Sequence, residues 1–543
     1  MKQCYIHIYV FDLLQPSVHN DTLGSRQDSG VTMTGRWRLS LALLLLCVQS
    51  SLPSVLTAAS SYQFTAYRMQ QYHLGQQKHG CRGAIVVAEA RSADEPVLTR
   101  RCVVMKVSDL TTEKYLEAQR QNAAAIFILL PQNTSNLPFD TVQVKTLTTL
   151  ECAPQPTSEH LCYCITRHSS GFTKLILSIR CFVLWFQGVL PGAGLDLPTI
   201  IITAHYDSYG LAPWLAHGAD SNGSGVTILL ELARLFQRLY SNASTRPQYN
   251  LMFSLTGGGK YNFLGTKKWI EENLDHAESS LLHDNVAFVL CLDTLANSDA
   301  LYMHVSRTPR PDSPMHSFIQ HLEEVVSSRF PWVGLEMVHK KINLVESTVA
   351  WEHERYSLRR IPGFTLSHLE DPKSELRGSI LDTMSQVDFR KLKRNGVIIA
   401  ESLARFMFNL SDKVRSYQHT DIHADMHTTI ELLMSILTSV PRATQLLDKE
   451  PRQMLLVNSL EHEFRRYLLQ VHRHTFRQDK RDPEMTFFDQ MNQPVMMYRV
   501  KPAAFDLFLG GCIAAYLGIV YYAIQNFGYL YTKLKSVLKT KHA

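Results

Sequence analysis

The sequence predicts an α/β fold: a mostly parallel sheet with helices on both faces, a small α/β N-terminal lobe before it, and one C-terminal transmembrane helix after it. Three observations carry this. The apolar runs Pro198 to Ala204, Tyr249 to Leu255 and Val286 to Leu292 alternate with helical stretches such as Gly225 to Tyr240. Continuous strands of that kind belong to parallel sheets covered on both faces. Leu507 to Ile524 is uncharged and long enough to span a bilayer. A chain of 543 residues, 45% hydrophobic and 19% charged, also has room for two or three domains.

At the N-terminus, Arg36 and Arg38 precede the apolar run Leu39 to Val48, with Ala58 and Ala59 beyond it. This is the anatomy of a secretory signal, and its core is too short to span a membrane. Met33 stands just before it, so residues 1–59 read as an upstream extension followed by a signal peptide. Residues 60–147 read as the small lobe, with a strand at Cys102 to Lys106, a helix at Thr112 to Asn122 and a strand at Ala123 to Leu130. The lobe resembles the protease-associated lobe found beside several aminopeptidases.

Residues 148–194 follow no clear period: they hold four cysteines and the apolar run Leu175 to Leu190, broken by Arg180. A second membrane segment, a buried β-α element and a foreign exon are the open readings, and the charge and short length favour the last two. Residues 195–412 form the main domain. Residues 413–502 read as helical, with Val457, Leu460, Phe464, Leu468 and Val471 spaced for one apolar face and His462, His472 and His474 as surface residues about that helix. Residues 503–527 are the membrane helix, with Tyr516, Tyr521, Tyr522 and Tyr529 toward its ends, and residues 528–543 a basic tail.

Lys533, Lys535, Lys539 and Lys541 follow the membrane helix, against Arg499 and Lys501 before it, which puts the tail in the cytosol and the bulk in the lumen as a single-pass type I protein. Lys539 and Lys541, fifth and third from the end, resemble the dilysine retrieval signal of the endoplasmic reticulum. Sequons at Asn133, Asn222, Asn242 and Asn409 suit a lumenal domain. The net charge of +6 is dispersed, so no direct nucleic-acid binding is expected, and ten cysteines without a CxxC pair give neither a structural zinc module nor a dense disulfide scaffold.

Ile200 to Ser208 has the form of a strand ending in His-x-Asp, where His205 could bind zinc and Asp207 could orient its other nitrogen. The segment Gly218-Ala219-Asp220-Ser221-Asn222-Gly223-Ser224-Gly225-Val226, running into Leu229 to Ala233, is more specific. With Tyr249 to Trp269, Asp293 and Pro362 to His368, it closely resembles the zinc aminopeptidase family that includes glutaminyl cyclases and the nicastrin ectodomain, over roughly residues 197 to 410. The resemblance implies a zinc aminopeptidase-like fold and a site whose key carboxylates are replaced. Ser221 stands where the family has its bridging aspartate, Gly259 where it has the general base, and Lys260 where it has a ligand. Asp293 matches a ligand. Gly378 stands where the family has its last ligand, a histidine, and His368 lies farther upstream. The retained His205, Asp207 and Asp293 are either a weak single-metal site, joined by His368, which makes a residual zinc-dependent aminopeptidase or cyclase the alternative function, or polar loop residues kept by the fold. The expectation is therefore no catalytic residue, no bound metal and no cofactor. A glycan on Asn222 would stand at the mouth of the old cleft.

Within that family, Ala204-His205-Tyr206-Asp207, Gly257-Gly258-Gly259-Lys260, Trp351-Glu352-His353-Glu354-Arg355 and Tyr498 to Ala503 resemble the nicalin branch. That resemblance implies a non-catalytic membrane scaffold of the endoplasmic reticulum. Its implied partners are the nodal modulator protein, a small multi-pass membrane protein, and the translocon and ribosome during multi-pass protein insertion, with a link to antagonism of Nodal signalling.

Overall fold

The structure is a computed structural model that describes residues 8–9, 61–68, 71–74, 77–80, 89–106, 109–130, 161–166, 178–179, 183–210, 212–275, 286–346, 348–410, 419–447, 450–476, 484–488, 492–498 and 503–539. The signal-peptide run, Asn133, Arg499, Lys501 and Lys541 lie outside the described residues.

The main domain is built on strands β1 (Val183–Leu190), β2 (Thr199–His205), β3 (Asn250–Thr256), β4 (Val286–Leu292), β5 (Ala300–Val305), β6 (Gly334–His339), β7 (Gly363–Ser367) and β8 (Leu469–Phe476). They form one eight-stranded sheet in the order β6-β5-β7-β4-β2-β3-β1-β8. β7, β4, β2 and β3 run parallel, while β1 lies antiparallel to β3 and β8, and β5 antiparallel to β7. The sheet is therefore mixed, with a parallel centre. All seven residues of β2 are buried, as expected of an inner strand rich in isoleucine.

Strand alternation sends Ile200, Ile202, Phe253, Leu255, Phe288 and Leu290 to one face. There they meet helices α1 (Gly225–Ser241), α3 (Pro314–Arg329), α5 (Phe389–Phe408), α6 (His419–Thr438) and α7 (Pro451–Tyr467). Ile201, Met252, Val289 and Cys291 face the other way, against Trp269 and Ile270 of α2 (Leu264–Asp275) and Tyr356 of α4 (His353–Leu358). Local signals mark several of these helices. Asp388 caps α5 by accepting from the amides of Arg390 and Lys391, and Asn409 ends it in the left-handed region at φ 47°.

The small lobe holds the strands Cys102–Lys106 and Ala125–Leu129 and the helix Thr112–Arg120 between them. Its seven-stranded sheet also takes in Ser61–Arg68, Leu161–Thr166 and, from far along the chain, Asn492–Tyr498, beside which Ile8–Tyr9 pairs. Val103, Met105, Ile126 and Ile128 share one apolar cluster with Ala212, Ile380 and Leu381, so the lobe packs on the loops that build the main domain's site.

One open reading narrows and one reading is corrected. Of the readings left open for 148–194, Val183–Leu190 is a buried element and not a membrane segment: it is a strand of the main sheet, with Trp185 and Phe186 fully enclosed. Between α7 and the C-terminal helices, the described residues of 469–498 are not helical. The chain returns as β8, Met485–Phe488 and Asn492–Tyr498, one strand for each of three sheets. Leu468 and Val471 do pack on the core, but from extended backbone, which is why their spacing passed for a helix. His472 and His474 accordingly stand on β8, and His474 stacks on Trp185 with ring centroids 5.1 Å apart. At the C-terminus, α8 (Ala503–Gln525) includes an apolar span Leu507–Gln525 of mean hydropathy 1.9, and a second helix, α9 (Phe527–Lys539), follows it.

Candidate functional site

The carboxyl ends of β2, β3, β4 and β7 come together on one edge of the sheet, where open α/β sheets place their sites. His205 closes β2 and Asp293 follows β4. The Gly218–Ser224 turn before α1, the Gly257–Lys260 loop after β3 and the loop carrying Arg377 complete the wall. His205, Asp207, Ser221, Asn222 and Asp293 are all buried.

Lys260 and Arg377 occupy the centre. The Lys260 ammonium donates to the Ser221 hydroxyl and, at 2.8 Å, to the Arg377 carbonyl, to which the Ser221 hydroxyl also donates at 2.9 Å. Burial pulls the Lys260 ammonium down to about 8, against the upward pull of Asp293. The Arg377 guanidinium donates to Asp293 Oδ2 at 2.6 and 3.2 Å and lies 4.1 Å over the Trp351 ring. Burial alone would raise the Asp293 carboxyl, but Arg377 and then His205 and Lys260 hold it well below the usual carboxylate range. Arg377 is a cation that sequence reasoning passed over, although it adjoins Gly378.

Around this centre the remaining polar groups are spent on main chain. Asp207 accepts from the amides of Gly259 at 2.9 Å and Lys260 at 3.4 Å and from the Thr444 hydroxyl at 2.7 Å. Its expected role of orienting His205 is corrected: the carboxylate ties the Gly259 loop instead. Asp382 takes the amides of Asp220 and Ser221, both at 2.8 Å, and burial raises it to about 6. Asp220 turns outward to the amide of Ala296 and the side chains of Asn297 and His368, the last at 2.6 Å. Burial works to lower the His368 imidazole, but the hydrogen bond with Asp220 overrides it and raises it. His368 is thus the buried partner of Asp220. Arg442, fully buried, donates to the carbonyls of Tyr206, His217 and Gly218 and clamps the start of the turn.

The glycan expected on Asn222 is also corrected. Its amide nitrogen donates to the carbonyls of His205 at 3.1 Å and Leu292 at 2.9 Å, its oxygen accepts from the Thr294 amide, and its exposure is 0%. A residue committed to three main-chain bonds inside the fold leaves no room for a sugar. Asn242 and Asn409 are both exposed.

Two histidine-rich and acidic features lie beside the centre. Glu352 is buried beneath it, where its Oε1 accepts from the hydroxyls of Thr203, Thr256 and Thr266, and burial raises its carboxyl to about 7. A cavity of about 310 Å³ opens next to Trp351, lined by His304, His353, Glu354 and Glu370 among others.

The fold family implies zinc, and the side chains here do not fit it. Among the described residues, no three His, Cys, Asp or Glu side chains converge as ligands would. His205 Nε2 and Asp293 Oδ1 find no hydrogen-bond partner among the described residues, but two donors are too few for a catalytic zinc. Two fixed positive charges, Lys260 and Arg377, lie close enough to both groups to bias their charge states. At the same place, an added Cβ on Gly259 would meet His205 Cβ and Cγ at 2.3 Å, so the imidazole packs straight onto this glycine.

Comparison with known proteins matches residues 188–337 to Peptidase family M28. The chain is 46% identical to BOS complex subunit ncln of Danio rerio, over 92% of this chain and 96% of that protein. It is 28% identical to Nicalin of Caenorhabditis elegans, over 88% of this chain and 93% of that protein. The crystal structure of the gamma-secretase component Nicastrin shares the fold at a TM-score of 0.55 and 11% identity, covering 80% of this chain and all of that one.

Proposed function

The chain belongs to the nicalin family of BOS complex subunits, and from that premise we propose that it is a non-catalytic, membrane-anchored subunit of such a complex. The observation that carries the non-catalytic part is the pair of internal cations. On the family's motif, Ser221, Gly259 and Lys260 stand where a bridging aspartate, a general base and a ligand carboxylate would be. Lys260 and Arg377 then serve Asp293 as counter-charges that a metal would otherwise provide. Loss of the base alone removes a contribution of about 10² to 10⁴ in rate.

The finer reading follows the family. The chain sits in the endoplasmic reticulum membrane through α8, with the sheet domain lumenal and the lysine-rich end cytosolic. It assembles with a nodal modulator protein and a small multi-pass membrane protein beside the translocon and ribosome, and it shares the family's link to antagonism of Nodal signalling. The lysine excess after α8 and the exposed sequons Asn242 and Asn409 support the topology. The test is purification of the tagged full chain from microsomes in mild detergent. Stoichiometric recovery of the nodal modulator and multi-pass partners, with no hydrolysis of aminoacyl amides, is expected. Turnover abolished by His205→Ala, without those partners, would overturn the proposal.

A further inference from the structure

The segment after the membrane helix is itself a helix, and its sequence has two sides. α9 begins one residue after α8 ends, and Asn526 between them is a turn: its N–H donates to the Tyr522 carbonyl at the end of α8, and its carbonyl accepts from the Leu530 N–H at the start of α9. At 1.5 Å per residue, 13 residues make a rod of about 20 Å. Phe527, Leu530, Tyr531, Leu534 and Leu538 recur at i, i+3, i+4, i+7 and i+11, the spacing of one helical face. Gly528, Thr532, Ser536 and Lys539 share the opposite face by the same spacing, and Lys533 and Lys535 fall at the two borders between the faces.

Among the described residues, the side chains of the apolar side stand open. Phe527 is 67% exposed, Tyr531 56% and Leu530 40%. No acidic residue follows Asp506, so the end of the chain carries Lys533, Lys535, Lys539 and Lys541 unopposed. Lys533 lies 5.3 Å from the centre of the Tyr529 ring and Lys535 5.9 Å from that of Tyr531. The Lys535 stem lies beside a ring of the apolar face, where a long stem lets the ammonium reach outward while the stem stays in hydrocarbon, whereas Tyr529 stands on the opposite side.

We infer that α9 lies in the surface of the membrane leaflet at which α8 ends, its apolar face among the acyl chains and its border lysines on anionic phospholipid headgroups. The inference rests on α8 spanning the bilayer. Continuity decides the occupant: a helix that starts at the interface has its apolar face at the depth of the acyl chains without any other partner. Charge decides the lipid, since lysines at the membrane surface are drawn to anionic headgroups.

The experiment uses the full chain in vesicles of phosphatidylcholine with phosphatidylserine, carrying an environment-sensitive dye on a non-natural residue at position 519, 530 or 536. Quenching by doxyl lipids reports contact with the bilayer, and iodide reports contact with water. The dye replacing Leu530 should be quenched by the lipids and shielded from iodide, and the dye replacing Ser536 should behave in the opposite way. Combining Lys533→Glu with Lys535→Glu should raise iodide quenching at 530 several-fold in these vesicles. Equal iodide access at 530 and 536, or no response to the charge reversal, would overturn the inference. Iodide access at 519 would instead sink the spanning reading, and the inference with it.

Discussion

Replacing Gly259 with alanine adds one carbon to the loop after β3, and the fold leaves that carbon no space. An ideal Cβ there stands 2.3 Å from His205 Cβ and Cγ and 2.6 Å from Cδ2, whereas carbon pairs settle at about 3.5–4.0 Å. His205 cannot easily retreat: it is fully buried, its carbonyl accepts from Asn222, and the Phe263 ring abuts it at 5.6 Å between centroids. Gly259 is not among the glycines at positive φ, so the perturbation is steric and not conformational. Overpacking of this kind costs about 1–3 kcal/mol. The thermal midpoint of the detergent-solubilised chain, followed by intrinsic fluorescence at fixed scan rate, should then fall by roughly 2–12 °C. Gly334→Ala is the control, because a Cβ there meets nothing within 4 Å. Gly259→Glu, which restores the family's base in name, should lower the midpoint further and yield no peptidase activity. A Gly259→Ala midpoint equal to that of wild type and Gly334→Ala would refute the reasoning.

Other outcomes follow from the same contacts. Asp293→Asn strips the half-buried Arg377 of its counter-charge and should destabilise by about 2–4 kcal/mol, read as a lowered urea midpoint. Because the Asp293 carboxyl is held below its unfolded value, its contribution is present above the unfolded carboxylate range and fades as pH falls through the folded value. Glu352 acts with the opposite sign. Its carboxyl is raised from 4.5 to about 7, a difference of about 2.5 units, so it withdraws about 3 kcal/mol of stability as pH rises from 4.5 to 7. Glu352→Gln should flatten that part of the stability profile, and an unchanged slope would contradict the burial argument. Glycosidase mobility shifts should shrink with Asn242→Gln and Asn409→Gln. Asn222→Gln should leave the shift intact while lowering stability, because it breaks three buried main-chain bonds.

The parallel centre of the sheet was legible in the sequence because strands buried on both faces need continuous apolar runs, and Thr199–His205 and Val286–Leu292 have them. Edge and returning strands were not. Leu469–Phe476 is polar along much of its length and pairs with Val183–Leu190 nearly three hundred positions earlier, a partnership no local period encodes. The candidate site divided in the same way. His205, Asp293 and the Ser221 turn follow strand ends and a motif, so they could be placed from sequence. Arg377, Asp382, Arg442 and Thr444 act through contacts made only in the fold, and a lone arginine before a glycine carries no signal of a buried counter-charge. Asn222 shows the reverse error: its sequon is real as a pattern, but the fold spends the side chain on holding β2 to β4.

If internal cations have taken the place of metal at this site, metal content will show it. The full chain, purified without chelator, loaded with excess zinc and passed through gel filtration, should retain no stoichiometric zinc by mass spectrometry. Lys260→Glu should not restore it, because Arg377 still holds Asp293 and the donor set stays short. Stoichiometric zinc in the wild-type chain, lost on His205→Ala, would contradict the account.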